Sequence, residues 1–457
     1  MFVVMNEVEL LLAKYNKAVP RYTSYPTVPY WYNFESTQKW EQNICTRYEA
    51  EKKQGISLYI HLPFCESLCT YCGCNKKITT NHAVEVEYID AVVKEWILYC
   101  DILGEKPLIR EVHLGGGTPT FFSTANLEML MHGIFSKAYI HPQKEFSFEG
   151  HPNNTTIQHL TTLYRFGFTR VSYGVQDDDP IVQRVINRPQ PFENVAKATE
   201  NARMVGYESV NFDLIYGLPF QSKAGLEATF NKVIGLKPDR IAFYSYAHVP
   251  WKQKAQRLFD ETNLPAPAEK MALYLTGKKL LTTAGYTDIG MDHFALPTDG
   301  LYKAWKDKTL HRNFMGYTTT NTNFLLGLGV SAISDVGNAY AQNQKELENY
   351  YRNIHSGKLD CMKGIFLTEE DEVIKRYILD IACQNETVLD SKDLSWLMES
   401  TIPQLQDLQH DGLLKFDNEV VTVTKRGMQF IRNICHAFDQ YSVSDGAAVV
   451  NMFSKAV

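Results

Sequence analysis

No apolar run in this sequence approaches the roughly 20 residues needed to cross a bilayer, and its start lacks both the basic opening and the small-residue cleavage site of a secretory signal. Positive charge is not in excess either. The 46 Lys and Arg are outnumbered by 52 Asp and Glu, giving a net charge of -6, which offers no general attraction to nucleic acid or to an anionic membrane. Internal repeats and low-complexity linkers are also missing, and so is an even cysteine count. Of nine cysteines, four crowd between Cys65 and Cys74, a clustering that favours metal over disulfides. Cys45, Cys100, Cys361, Cys383 and Cys435 stand singly and read as small buried side chains. These absences lead us to expect a cytoplasmic protein with small-molecule partners, binding neither nucleic acid nor membrane.

What is present is an α/β pattern. The chain, with 457 residues of which 44% are hydrophobic, is long enough for one large domain and a smaller companion. Strand-like runs follow one another at Leu58 to Leu62, Glu111 to Leu114, Phe146 to Glu149, Arg170 to Val175, Val210 to Ile215 and Ile241 to Tyr246. Helical stretches separate them; Tyr88, Ile89, Val92, Val93, Trp96 and Ile97 mark one apolar helix face. Six such units predict a parallel sheet rolled into a partial (β/α)6 barrel, with polar motifs at the C-terminal strand ends where such folds carry their chemistry. Beyond about Gly364 the rhythm gives way to helices around Glu372 to Cys383 and Ile402 to Leu408. A strand pair at Leu413 to Phe416 and Val420 to Val423 follows, then a last helix from Lys425 to about Phe438. The expected division is an N-terminal segment (1–50), a catalytic barrel (51–363) and a smaller, mostly helical or winged-helix-like domain (364–457). That last domain shows no basic helix face for nucleic acid.

Cys65, Cys69 and Cys72 form a CxxxCxxC loop directly after the first strand. Three thiolates on a tight loop can hold three irons of a [4Fe–4S] cluster and leave the fourth iron open for a chelating cofactor. Structural zinc is the alternative, since Cys74 supplies a fourth thiolate. One βα unit later, Gly115-Gly116-Gly117-Thr118 lets backbone approach a ligand and adds a hydroxyl. Glu149 ends its strand with a carboxylate suited to ribose hydroxyls. Gln176, Arg188 and Asp213 add polar groups near successive strand ends, Arg188 with a fork that pairs a carboxylate.

The stretch Tyr59-Ile60-His61-Leu62-Pro63-Phe64-Cys65, with Cys69-Thr70-Tyr71-Cys72-Gly73-Cys74-Asn75-Lys76, resembles the cluster loop of the oxygen-independent coproporphyrinogen III oxidases. These are enzymes of the radical S-adenosylmethionine (SAM) superfamily. The resemblance extends from Arg21-Tyr22-Thr23-Ser24-Tyr25-Pro26-Thr27 to Ile431-Arg432-Asn433-Ile434-Cys435, nearly the whole chain. It implies a radical SAM barrel whose Cys65, Cys69 and Cys72 are the metal ligands, and in which Tyr59 and Cys74 are catalytic. Cofactor contacts implied in the same way are Tyr59, Tyr71, Gly116, Gly117, Thr118, Glu149, Gln176, Arg188, Asp213, Ala247 and Ile333. A second SAM beside the first is implied as well, contacted by Tyr71, Gln176, Arg188 and Asp213. The wall segment His311-Arg312-Asn313-Phe314-Met315 departs from the family at Met315, where glutamine is expected.

The implied reaction is anaerobic. A 5′-deoxyadenosyl radical from SAM, reduced by the cluster, takes a β-hydrogen from a propionate, carbon dioxide leaves, and a vinyl group forms. Two rounds convert coproporphyrinogen III into protoporphyrinogen IX in haem biosynthesis. Implied partners are the substrate, a reductant such as flavodoxin or ferredoxin, and an unidentified electron acceptor, for a monomeric enzyme; Arg21 or Arg188 is a candidate to meet substrate carboxylates. Two other readings share the superfamily. A haem-binding chaperone would bind without turnover, but such relatives usually lack the fourth cysteine, whereas a porphyrin methyltransferase would also use two SAM molecules.

Overall fold

A computed structural model describes residues 7–444; residues 1–6 and 445–457, at the ends of the expected first and last domains, lie outside the described residues. The six predicted strands are all present. They are β1 (Ile56–Leu62), β2 (Leu108–Gly116), β3 (Tyr139–Gly150), β4 (Phe168–Gln176), β5 (Ser209–Tyr216) and β6 (Arg240–Ser245). They pair in chain order and all in parallel. Only Tyr246 of the expected runs falls past its strand.

Five crossover helices cover the outside: α1 (Val84–Leu103), α2 (Thr124–Phe135), α3 (Ile157–Arg165), α4 (Phe192–Val205) and α5 (Lys223–Gly235). Their limits follow from local chemistry. Ser123 caps α2 by accepting from the Asn126 amide, Thr156 and His159 form a capping box on α3, and α1 stops at Gly104 with φ +73°. The apolar face of α1 buries Tyr88, Ile89, Val92 and Trp96, each stabilising by about 1.5–3 kcal/mol. Trp96 also donates to the Ile134 carbonyl of α2 at 2.9 Å.

The sheet runs on beyond the six strands. A seventh parallel strand, Leu325–Leu328, adds to β1, followed by antiparallel Ile333–Asp335, Ala339–Asn343, Cys361–Phe366 and Tyr32–Asn33. On the β6 side come His293–Ala295 and Thr287–Gly290. Among the described residues no ladder joins the two outer strands, so the barrel stays open. Cys361–Phe366 carries the sheet across the boundary expected between residues 363 and 364, and Tyr32–Asn33 joins it from the N-terminal segment.

The N-terminal half of the barrel interior is charged. Glu111 accepts from Ser57 at 2.6 Å and from Thr318 at 2.8 Å, Asp299 pairs with Arg240 at 2.6 Å, and Glu145 pairs with Arg170. These groups satisfy one another below the strand ends that carry the site.

After Phe366, a helix over Glu369–Gln384 begins with a Thr368–Asp371 capping box and ends at Asn385, φ +58°. The helix Thr401–His410 and the strand pair Leu414–Asp417 and Val420–Val423 follow in the predicted order, and a third, unexpected strand, Glu386–Val388, pairs with Val420–Val423. The last helix is broken: a 3-10 turn at Gly427–Phe430 precedes Ile431–His436. Gly427 is packed against the Leu413 carbonyl too closely for any side chain. From here Asn433 donates to the Tyr15 carbonyl at 2.9 Å and Arg432 to that of Pro20 at 3.2 Å, while Tyr22 donates to Asp439 at 2.9 Å. The N-terminal segment is thus held by the end of the chain. Among the described residues no helix is long and apolar enough to cross a membrane.

Candidate active site at the C-terminal strand ends

The cysteine loop leaves β1 and is held from both sides. The Gly117 amide donates to the Leu62 carbonyl at 2.8 Å and the Thr118 amide to that of Phe64 at 3.0 Å. This close seating explains two of the glycines. A Cβ on Gly116, which has φ +115°, would lie 2.6 Å from the His61 ring, and one on Gly117 would lie 2.5 Å from the Pro63 oxygen. Opposite, the Thr70 amide donates to the Ile186 carbonyl at 3.0 Å and Asn187 to that of Leu68 at 2.8 Å.

All nine cysteines are free thiols. Cys65 lies 3.3 Å from the Thr118 hydroxyl, and burial pushes its thiol up to about 11. Cys69 accepts from Arg188 Nη1 at 3.6 Å. Cys72 is lowered chiefly by its hydrogen bond with Cys74, and then by the Lys76 and Arg188 charges, whereas Cys74 is raised by the same bond. Among the described residues no three His, Cys, Asp or Glu side chains converge on one metal ion.

Cys65, Cys69, Cys72 and Cys74 open into a cleft of about 440 Å³ whose lining includes Tyr71, Gly116, Gly117, Thr118, Glu149, Gln176, Arg188 and Asp213. Arg188 Nη2 donates to the Gly174 carbonyl at 2.7 Å, but its buried Nε has no hydrogen-bond partner, a donor left for a ligand. Glu149 accepts from the Gly116 amide at 3.2 Å and faces His113 at 3.5 Å. Burial opposes its charge, yet His113 and that amide outweigh it and hold the carboxyl below its ordinary value. Asp213 accepts from Ser172 at 3.0 Å and Asn211 at 2.8 Å, and burial, with the Glu149 charge, raises it to about 6.

A larger cleft of about 710 Å³ adjoins the first through Cys74, Lys76, Gly116 and Glu149 and takes in Tyr59, Phe314, Met315 and Ile333. His61 Nε2 lies 2.8 Å from the Asn75 carbonyl, which can only accept, so Nδ1 accepts from the Tyr59 hydroxyl at 3.0 Å. Burial lowers the His61 ring and favours this neutral form. Fourteen of the fifteen sequence-designated residues therefore reach one or other of two joined clefts, with Tyr59 and Ile333 in the larger. Ala247 stands apart. Its carbonyl accepts from Gln256 Nε2 at 3.1 Å, and the same nitrogen lies 3.4 Å from the Tyr71 carbonyl.

Residues 59–233 match the Radical SAM superfamily. An oxygen-independent coproporphyrinogen III oxidase from Escherichia coli (strain K12) is 38% identical over 94% of this chain and 94% of its own length. One from Pseudomonas aeruginosa is 36% identical over 94% and 95%. The chain belongs to the oxygen-independent coproporphyrinogen III oxidase family. A solved coproporphyrinogen III oxidase from Escherichia coli, described as a radical SAM enzyme, superposes with a TM-score of 0.87 at 36% identity, covering 94% of this chain and 98% of that one. The superfamily implies a [4Fe–4S] cluster and SAM, and the three loop thiols with the cleft beside them fit both. In this family member the residues that sequence reasoning missed are His61, His113 and Lys76. His113 is paired with Tyr59 across β1 and β2, its ring stacked at 6.0 Å; the alternation Tyr59, His61 on one strand face was the available signal. Lys76 donates to the Cys72 carbonyl at 3.0 Å and bridges the clefts.

Proposed function

We propose that this chain converts coproporphyrinogen III into protoporphyrinogen IX by anaerobic oxidative decarboxylation of two propionate side chains. One observation carries the reading: a single cleft collects the three loop thiols, the glycine segment and the polar residues of the next three strands, Glu149, Gln176 and Asp213. Cys65, Cys69 and Cys72 hold the cluster. Gly116, Gly117 and Thr118 lie along the methionine end of SAM, and Glu149 accepts from its ribose. Tyr71, Gln176, Arg188 and Asp213 contact a second SAM, with Ile333 reaching the cofactors from the adjoining cleft and Ala247 tied to Tyr71 through Gln256 Nε2. Tyr59 and Cys74, both facing the larger cleft, are the catalytic side chains beside substrate.

No side-chain base can deprotonate an unactivated aliphatic carbon, so the cofactors, when bound, supply the one-electron chemistry that removes a β-hydrogen. The chain's own part is to bind, orient and exclude water. Neutral His61 fixes the Tyr59 hydroxyl, and Arg188 anchors one side of the cysteine loop. We assign the protein to the cytoplasm as a monomer of three parts (1–50, 51–363 and 364–457), the first closing on the active site, with flavodoxin or ferredoxin as reductant and an acceptor of unknown identity.

Anaerobic incubation of reconstituted protein with coproporphyrinogen III, SAM and a reductant tests this reading. Mass spectrometry is expected to find protoporphyrinogen IX and 5′-deoxyadenosine. A methylated porphyrin, or haem binding without decarboxylation, contradicts it.

A further inference from the structure

The larger cleft combines an apolar wall with a basic rim. Tyr59, Phe314, Met315, Leu325 and Ile333 form the wall, while Lys76 and Lys345 stand in the lining. A third lysine joins them. Lys363 pairs with Gln342 across the antiparallel ladder, so the two side chains leave the same sheet face, and Gln342 lines the cleft. Burial, and then the charges of Lys345 and Lys252, push the Lys363 ammonium down. The lysines come from separate stretches of chain: the cysteine loop, the turn after Ala339–Asn343 and the strand Cys361–Phe366. The fold has therefore gathered like charges that sequence alone does not bring together, at a cost that an anion would offset. Lys76 is engaged by the Cys72 and Cys74 carbonyls and Lys363 by that of Val28. Glu149 is the carboxylate in the lining, and it is already met by His113 and the Gly116 amide.

We propose that Lys345 and Lys363 receive propionate carboxylates of the tetrapyrrole, whose apolar ring lies on the wall formed by Phe314 and Met315. This assignment rests on the oxidase reading and names the side chains that position its substrate. It also gives Met315 a role: a thioether suits the face of a macrocycle, where an amide would need hydrogen-bond partners.

The test uses the reconstituted full chain and coproporphyrin III, the unreactive oxidised form of the substrate ring with its four carboxylates, titrated by its absorbance. The double variant Lys345→Glu with Lys363→Glu is expected to bind it about 10-fold more weakly and to show a shallower salt dependence, since the screened attraction has been removed. Mesoporphyrin, with two carboxylates, should lose less. Iron and sulfide content should stay as in wild type, and Lys345→Arg with Lys363→Arg should restore binding by keeping both charges. Unchanged affinity in the Glu pair, an equal loss for both porphyrins, or an Arg pair as weak as the Glu pair overturns the assignment. Turnover separates it from the reading beneath it. If wild type makes no protoporphyrinogen IX, the oxidase reading fails; if wild type turns over and the Glu pair keeps the wild-type KM, only the lysine assignment fails.

Discussion

The Arg188 guanidinium donates to the Cys69 sulfur at 3.6 Å. With its second arm on the Gly174 carbonyl at 2.7 Å, it ties the loop beyond β4 to the cysteine loop, leaving Nε for a ligand. Lysine keeps the charge but not the fork. Arg188→Lys is therefore expected to retain most iron while weakening SAM binding about 10-fold, and Arg188→Ala to lose iron as well. Anaerobic equilibrium binding with iron analysis checks both, and wild-type SAM affinity in Arg188→Lys contradicts the assigned contact.

Gly116 has φ +115° and no room for a Cβ beside His61. Gly116→Ala is expected to destabilise the apo protein by about 1 kcal/mol or more through backbone strain and the displaced ring. Thermal unfolding measures it, and a melting temperature equal to that of wild type would show that the two loops are not seated as described.

The six barrel strands were legible because each is a short apolar run bounded by turn residues and separated by helical periodicity. The strand Leu325–Leu328 was not: Phe324 to Val330 is a brief apolar stretch with two glycines, and its pairing beside β1 is a tertiary matter. The glycine segment was legible as a site but only in part for its reason. Gly116 and Gly117 are needed first for close packing on His61 and Pro63, which no spacing rule reveals. The distance of Ala247 from the clefts, like the pairing of Arg240 with Asp299 across 59 residues, depends on how the strand ends are arranged in space. Single-residue patterns carry no such information.

Asp213 offers a pH test. Burial, and next the Glu149 charge, raise its carboxyl from 3.8 to about 6, against hydrogen bonds from Asn211 and Ser172 and the Arg188 charge. Because the folded value lies above the unfolded one, the folded chain binds the extra proton. The contribution to stability is full below about pH 3.8 and is lost as the pH rises through about 6. Asp213→Asn is expected to remove this slope, on the order of 3 kcal/mol, from the denaturant stability of apo protein measured between those limits. An unchanged slope contradicts the raised value.

The central claim is that three of the four clustered thiols hold a cluster with one open iron. The most direct measurement is iron and sulfide content, with the anaerobic visible spectrum, for Cys65→Ala, Cys69→Ala, Cys72→Ala and Cys74→Ala. The first three are expected to lose most of their iron and all SAM cleavage, because each removes one of only three protein anchors. Cys74→Ala is expected to keep an iron–sulfur spectrum and SAM binding, even as turnover falls. Equal loss of metal in all four variants would instead mark a closed four-thiolate site and contradict the account.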